Sequence, residues 1–351
     1  MSDNVYRNLQ QYLDTMSMGF PPTKSGIELK ILRKLFSEND ARMFLALTAE
    51  LKTPEDIAAG LGRDAVELAV HLKDMRDRGL LFSIRKGEVT KYGTIGYIHG
   101  IYEFQVNRMD KDLALMFSEY FDEGFAKAIL FSASSFVRTI PVQESLDTEH
   151  TVTSFDDAVH ILRSQKTISV ADCICRKEKS VEGKGCNKPS EVCFMFGSMA
   201  KYYIDQGLGR QIDTDEAIHL LTEAQKAGLV TQPATAQNPL GMCNCCGDCC
   251  GVLRALNLSD KPAQHVTSNY QATVDIASCV GCEACLDKCQ MHAITMKDGI
   301  AEINLDRCIG CGLCVLGCPS VSISMVPKEK QAVLPLGTME QMQQMLKARG
   351  L

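Results

Sequence analysis

At 351 residues with 45% apolar content, the chain is long enough to bury real cores and to divide into two or three domains. A formal charge of −6 describes an acidic protein and gives no support for a nucleic-acid or membrane surface. The opening residues do not form a basic-then-apolar leader, and no run of eighteen uninterrupted apolar residues occurs, so a cytoplasmic protein with no membrane span is expected. Seventeen cysteines in a reducing compartment are metal ligands or redox groups rather than a disulfide framework, and all lie between Cys173 and Cys318.

Residues 1–36 read as a polar opening, a break at Phe20-Pro21-Pro22 and an amphipathic stretch from Gly26 to Phe36. Met43, Phe44, Leu47 and Leu51 recur at helical spacing; Thr53 caps a second helix with Pro54 at its first position; Asp64 to Arg78 is a third, ended by Gly79. A hairpin about Lys86-Gly87 follows. Three helices and a hairpin make a winged-helix-like arrangement, in which the third helix often reads DNA. Here that helix sets Asp64, Glu67, Asp74 and Asp77 against Lys73, Arg76 and Arg78, a net charge of −1 that repels phosphate, so packing or partner docking is the favoured role.

A helix is expected over Met109 to Phe131, with Leu113, Phe117, Tyr120, Phe121 and Phe125 on one stripe, and an extended segment over Ser132 to Pro141. Ser154 to Asp157 caps a helix through Ser164, and Lys166 to Ala171 is a strand leading to the first cysteines. Phe194 to Gln206 reads as a helix, and Asp213 to Glu216 as a capping box opening another, a helical pair expected to wall the middle cysteines. His219 reads as a surface or packed residue. Arg176 and Lys177 could raise the potential of a neighbouring cluster, but a solvated face is the preferred reading.

Cys173, Cys175, Cys186, Cys193, Cys243, Cys245, Cys246, Cys249 and Cys250 make nine middle thiols, one more than two four-thiolate sites need. The preferred reading is one or two further [4Fe–4S] clusters with one cysteine spare; structural zinc, to which Cys246 and Cys249 are suitably spaced, is the alternative. Cys279, Cys282, Cys285 and Cys289, then eighteen residues, then Cys308, Cys311, Cys314 and Cys318 repeat the C-x2-C-x2-C-x3-C run that ligates a pair of [4Fe–4S] clusters, the fourth cysteine of each run crossing to the other cluster. Gly281, Gly310 and Gly312 let backbone amides approach the sulfurs.

Residues 270–327 thus resemble a bacterial-type two-cluster ferredoxin. By the crossing rule, Cys279, Cys282, Cys285 and Cys318 hold one cluster, and Cys308, Cys311, Cys314 and Cys289 the other. Gln290 departs from the pattern, standing where such ferredoxins usually have Pro. With the winged-helix-like segment, Cys173 to Arg176, Cys193 to Gly197 and Asn244 to Cys250, most of 38–327 resembles a family of [4Fe–4S]-binding, ferredoxin-domain proteins of anaerobes, which implies electron transfer and names no substrate. The expected architecture is α+β and multidomain: winged-helix-like 1–100, helical connector 101–165, helical cysteine-rich domain 166–265, βαβ-type ferredoxin domain 266–327, and a tail at 328–351 whose Met-rich helix, Thr338 to Ala348, docks on the body or on a partner.

The expected function is relay of single electrons between a low-potential donor and a partner oxidoreductase, as a shuttle, a subunit or a homodimer. Side chains of residues 270–327 net −3, which predicts a partner with a basic docking face. The alternatives are a redox-sensing transcriptional regulator, which lacks the basic groove-facing surface it would need, and an iron–sulfur enzyme subunit with an open-site cluster, for which no phosphate loop, flavin fingerprint or triad speaks.

Overall fold

The computed structural model describes residues 2–145 and 156–351, so the expected cap at Ser154 lies outside the described residues. The opening is a helix, α1 (Ser2–Asp14), whose Leu9 and Leu13 are fully buried; its apolar positions are too sparse among polar ones to announce it. Helices α2 (Ile27–Leu35), α3 (Glu38–Ala46), α4 (Pro54–Leu61) and α5 (Ala65–Asp77) follow, then the hairpin β1 (Phe82–Lys86) and β2 (Val89–Gly93). Side-chain caps by Ser37, Thr53 and Asp64 start α3, α4 and α5, each accepting from amides two or three residues on. The cations of α5 are tied locally: Lys73 and Arg76 pair with Asp77, and Arg78 with Asp74 and Asp40.

The long helix expected from Met109 is α6 (Lys111–Tyr120) and α7 (Ala126–Phe136), separated by a widened turn in which Gly124 leaves helical geometry. α7 continues through much of the segment expected to be extended. Tyr120 and Phe125 stack across the break, their centroids 4.8 Å apart, so the aromatic stripe is core.

The cysteine-rich domain is not helical as expected. After α8 (Ala158–Ser164), the strands β3 (Ile168–Asp172), β4 (Glu191–Phe196), β5 (Gly209–Ile212), β6 (Val230–Pro233) and β7 (Gly241–Cys245) form an antiparallel sheet in the order β5-β3-β4-β7-β6. Interspersed are α9 (Ile174–Val181), α10 (Gly197–Asp205), α11 (Thr214–Lys226) and α12 (Gly251–Asn257). The expected helix from Phe194 fails at its start because Val192, Cys193, Phe194 and Phe196 are all buried, the near-continuous apolar run of a central strand, and Gly197 at φ +56 turns the chain into α10. His219 is exposed on α11.

The last domain pairs β8 (Tyr270–Val274) with β11 (Ile323–Pro327) and β9 (Ile294–Lys297) with β10 (Ile300–Ile303), both antiparallel, with one short helix, α13 (Leu313–Leu316), between. These two ribbons replace the βαβ arrangement expected: the nineteen residues between β8 and β9, and the nineteen between β10 and β11, are given over to the cysteine loops, and the strands that pair run antiparallel. α14 (Thr338–Ala348) docks on the body: Gln341 donates to the carbonyls of Ser135 and Phe136, and Arg349 pairs with Asp14.

Candidate metal centres

The eight C-terminal cysteines surround two cavities. Cys279, Cys282, Cys285 and Cys318 line one of about 270 Å³ with Glu283, Ser320 and Ser322; Cys289, Cys308, Cys311 and Cys314 line another of about 380 Å³ with Met291, Ile294 and Ile309. Backbone amides reach the sulfurs: Ala293 N–H donates to Cys289 Sγ at 3.2 Å and Ser322 N–H to Cys318 Sγ at 3.3 Å. Burial acts against ionisation of Cys318, but the Ser322 and Ser320 hydroxyls outweigh it and hold its pKa down at about 7. Two soft four-thiol donor sets with amide and hydroxyl donors are what a pair of cubane clusters requires.

Gly281 and Gly310 occupy equivalent places in the two runs at φ +66 and +74. A Cβ on either would collide with a backbone carbonyl, Gly299's in one case and Tyr270's in the other, and the Gly281 amide does reach the Cys279 sulfur. Gly312, at φ +75, sits against Ser145.

The two sites differ in exposure. Cys282 is exposed beside Val280, which is 70% accessible, whereas Cys314 is 8% accessible and the Cys289–Cys308–Cys311 wall packs into the protein. Asp275, Glu283, Asp287, Asp298, Glu302 and Asp306 are all exposed.

Residues 278–332 match the 4Fe-4S dicluster domain. No curated protein and no solved structure matches the chain. The dicluster domain therefore carries iron–sulfur chemistry at the C-terminal end, and the middle thiols have to be read from their own geometry.

Those nine thiols gather as six and three. Cys173 interacts with Cys175 and Cys193; Cys175 with Cys250; Cys250 with Cys245; Cys245 with Cys243; and Cys243 with Cys193, which closes a ring. The strand period explains part of it: Cys243 and Cys245 stand two apart on β7 and share a face, while Asn244 between them points the other way, accepting from Thr231 and donating to the Val192 carbonyl. Cys193 comes from β4, next to β7 in the sheet. Cys173 and Cys250 are the residues from which α9 and α12 start, and the backbone amides of Arg176 and Leu253, three residues on, favour their thiolates.

Hydrogen bonds from neighbouring thiols hold Cys173, Cys243 and Cys250 far below the usual thiol range and push Cys175, Cys193 and Cys245 up. Arg176 is 4% accessible, not on the solvated face expected of it: its guanidinium donates to the Asn244 carbonyl at 2.8 Å and interacts with Cys173. Lys177 is exposed.

His99, which sequence reasoning passed over, reaches the ring from the N-terminal half. It sits at φ +55 in the loop before α6, hydrogen-bonds Cys243, and packs its ring 4.1 Å from Phe136. Burial opposes its protonation, but Cys243 and the Glu103 carboxylate outweigh that and raise its pKa. The signal available was a histidine in the glycine-rich stretch Gly93 to Gly100, too weak to act upon.

Cys186, Cys246 and Cys249 form the second group, all three sulfurs lying within 4.8 Å of one another.

Proposed function

We propose that the chain relays single electrons inward, from a partner protein at the exposed face of the dicluster domain to a centre held by the six-thiol ring. The observation that carries this reading is a shared apolar core: Cys289, Cys308 and Cys311 of the inner dicluster cavity pack in the same cluster as Cys243, Cys245 and Cys250 of the ring, with Leu253, Leu256, Met291 and Ile309 between them. Iron–sulfur clusters bound at these thiols supply the one-electron chemistry.

The chain's own residues set the path. Gln290 and Arg307, each next to an inner thiol, fasten the two domains. The Gln290 side chain accepts from the Gly247 amide at 2.7 Å and donates to the Gly228 carbonyl at 3.1 Å; Arg307 donates to the Met291 and Ser259 carbonyls and to Asn257. Fixed contacts of this kind hold donor and acceptor at constant separation. Arg176 and His99 place positive charge or donors beside the ring thiolates, which stabilises the more negative, reduced state.

At the outer edge, the exposed carboxylates favour a partner with a basic docking face. A nucleic-acid partner finds less support. The α5 cations are engaged in ion pairs, and the β1–β2 hairpin packs on the cysteine domain, Phe82 against Tyr202 at 5.2 Å and Arg85 pairing with Asp205. A cytoplasmic, oxygen-poor setting and up to three iron–sulfur centres complete the reading.

Anaerobic stopped-flow reduction by a low-potential donor protein, followed by freeze-quench EPR, tests it. The dicluster signals should appear first and the ring signal afterwards, both slowed by salt. Reduction of the ring centre at an undiminished rate in a Cys311→Ser, Cys314→Ser variant would sink the relay.

A further inference from the structure

The three-thiol group is built unlike any other thiols in the chain. Cys186 and Cys246 stand 3.7 Å apart. A tetrahedral zinc–thiolate site with Zn–S near 2.3 Å has sulfurs about 3.8 Å apart. On a cubane each thiolate caps a different iron, which spreads the sulfurs. The dicluster cysteines provide the internal control: among the described residues, Cys186, Cys246 and Cys249 are the sole set of three metal-ligating side chains whose donor atoms all fall within 4.8 Å. Neither dicluster cavity, nor any three members of the six-thiol ring, is drawn so tight.

Local backbone supports a single-ion site. Cys246-Gly247-Asp248-Cys249 is a C-x2-C turn in which the Cys249 amide donates to Cys246 Sγ, and the Cys186 amide donates to Cys249 Sγ. Gln290 holds that turn through Gly247, and the Arg176 guanidinium acts electrostatically on Cys246, offsetting thiolate charge. Cys246 and Cys249 are 1% and 2% accessible, but Cys186 is half-exposed, on the loop of Gly183, Lys184, Gly185 and Asn187, all exposed. No fourth His, Cys, Asp or Glu donor joins them among the described residues. Three protein donors with a solvent-reached fourth position is the arrangement of a reactive rather than a purely structural zinc site.

We infer that Cys186, Cys246 and Cys249 bind one zinc ion, separate from the iron–sulfur centres, with a fourth position open to a small thiol. Three thiolates make the site soft, so a fourth sulfur donor, bound as thiolate with its proton released to solvent, is favoured over the harder hydroxide of the same charge. The inference does not rest on the relay, which concerns the other fourteen cysteines.

Metal analysis of anaerobically purified protein tests it, with Cys246→Ser and the milder Cys186→Ser as variants. The expected result is ~1 zinc per chain in the parent protein, lost in Cys246→Ser and weakened in Cys186→Ser, with iron, sulfide and reduced-state EPR unchanged in both. Cobalt-substituted protein should show thiolate-to-cobalt charge transfer, and β-mercaptoethanol should shift its ligand-field bands. Absence of zinc from the parent, or loss of iron in step with Cys186→Ser, would overturn the zinc assignment in favour of an open-site cluster. Ligand-field bands indifferent to the thiol would overturn the open position. A failed relay would show instead in the order of EPR signals, with zinc content untouched.

Discussion

The dicluster domain and the middle thiols solve one problem, the gathering of soft donors, in opposite ways. In the dicluster domain each loop delivers three thiolates to its own cavity and sends the fourth across, and the glycines Gly281 and Gly310 let the loop close. In the middle, donors come from the starts of two helices, two neighbouring strands and a loop, and meet only because the sheet brings β4 and β7 together. A loop motif carries most of its donors within one short segment; a sheet-built ring stands or falls with the fold.

The sharpest way to break the comparison is to remove donors from each. Cys193→Ala with Cys243→Ala should abolish the ring centre, costing roughly four iron or more per chain, while leaving the dicluster EPR signals in place; loss of both sets of signals would mean that the centres assemble interdependently. Next in size is Gly310→Ala. A positive φ and a Cβ driven against the Tyr270 carbonyl should cost about 1–3 kcal/mol or more, seen as a lower thermal midpoint together with loss of the inner dicluster cluster, whereas Gly299→Ala, at φ +76 but with open space around it, should cost about 1 kcal/mol.

A smaller effect is expected of Gln290→Ala. Two hydrogen bonds between the domains are lost, roughly 0.5–1.5 kcal/mol each, and the ring centre should be reduced more slowly at unchanged iron content; an unaltered rate would relegate Gln290 to stability alone. Smallest is pH. Cys318, with its pKa lowered to about 7, is thiolate above that value and thiol below it, so in metal-free protein its alkylation should rise through pH 7 rather than through the ordinary range near 8.5, as peptide mapping by mass spectrometry would read.

The eight dicluster cysteines were legible because their spacing is itself the ligand geometry, and residues 278–332 match a known domain on that basis. The six-and-three division was not, since it depends on which face of β7 carries Cys243 and Cys245 and on Cys246 lying past the end of the strand. The strand β4 was misread as a helix because Phe194, Met195 and Phe196 form a short apolar run with no visible period, and the sheet was lost with it. Arg176 was read as solvated because nothing in its neighbours along the chain shows that Asn244 would come to lie against it. His99 illustrates the limit: its partner Cys243 lies far along the chain, and no local pattern connects them.

The gradient of exposure across the dicluster domain has a consequence for how the protein ages in air. Oxygen and peroxide meet Cys282, open to solvent, long before they meet Cys314 or the ring cysteines, which lie 8% accessible or less apart from the half-buried Cys175 and Cys243. Damage therefore runs inward from that open face, and a partner docked there, as proposed, would act as its antioxidant shield.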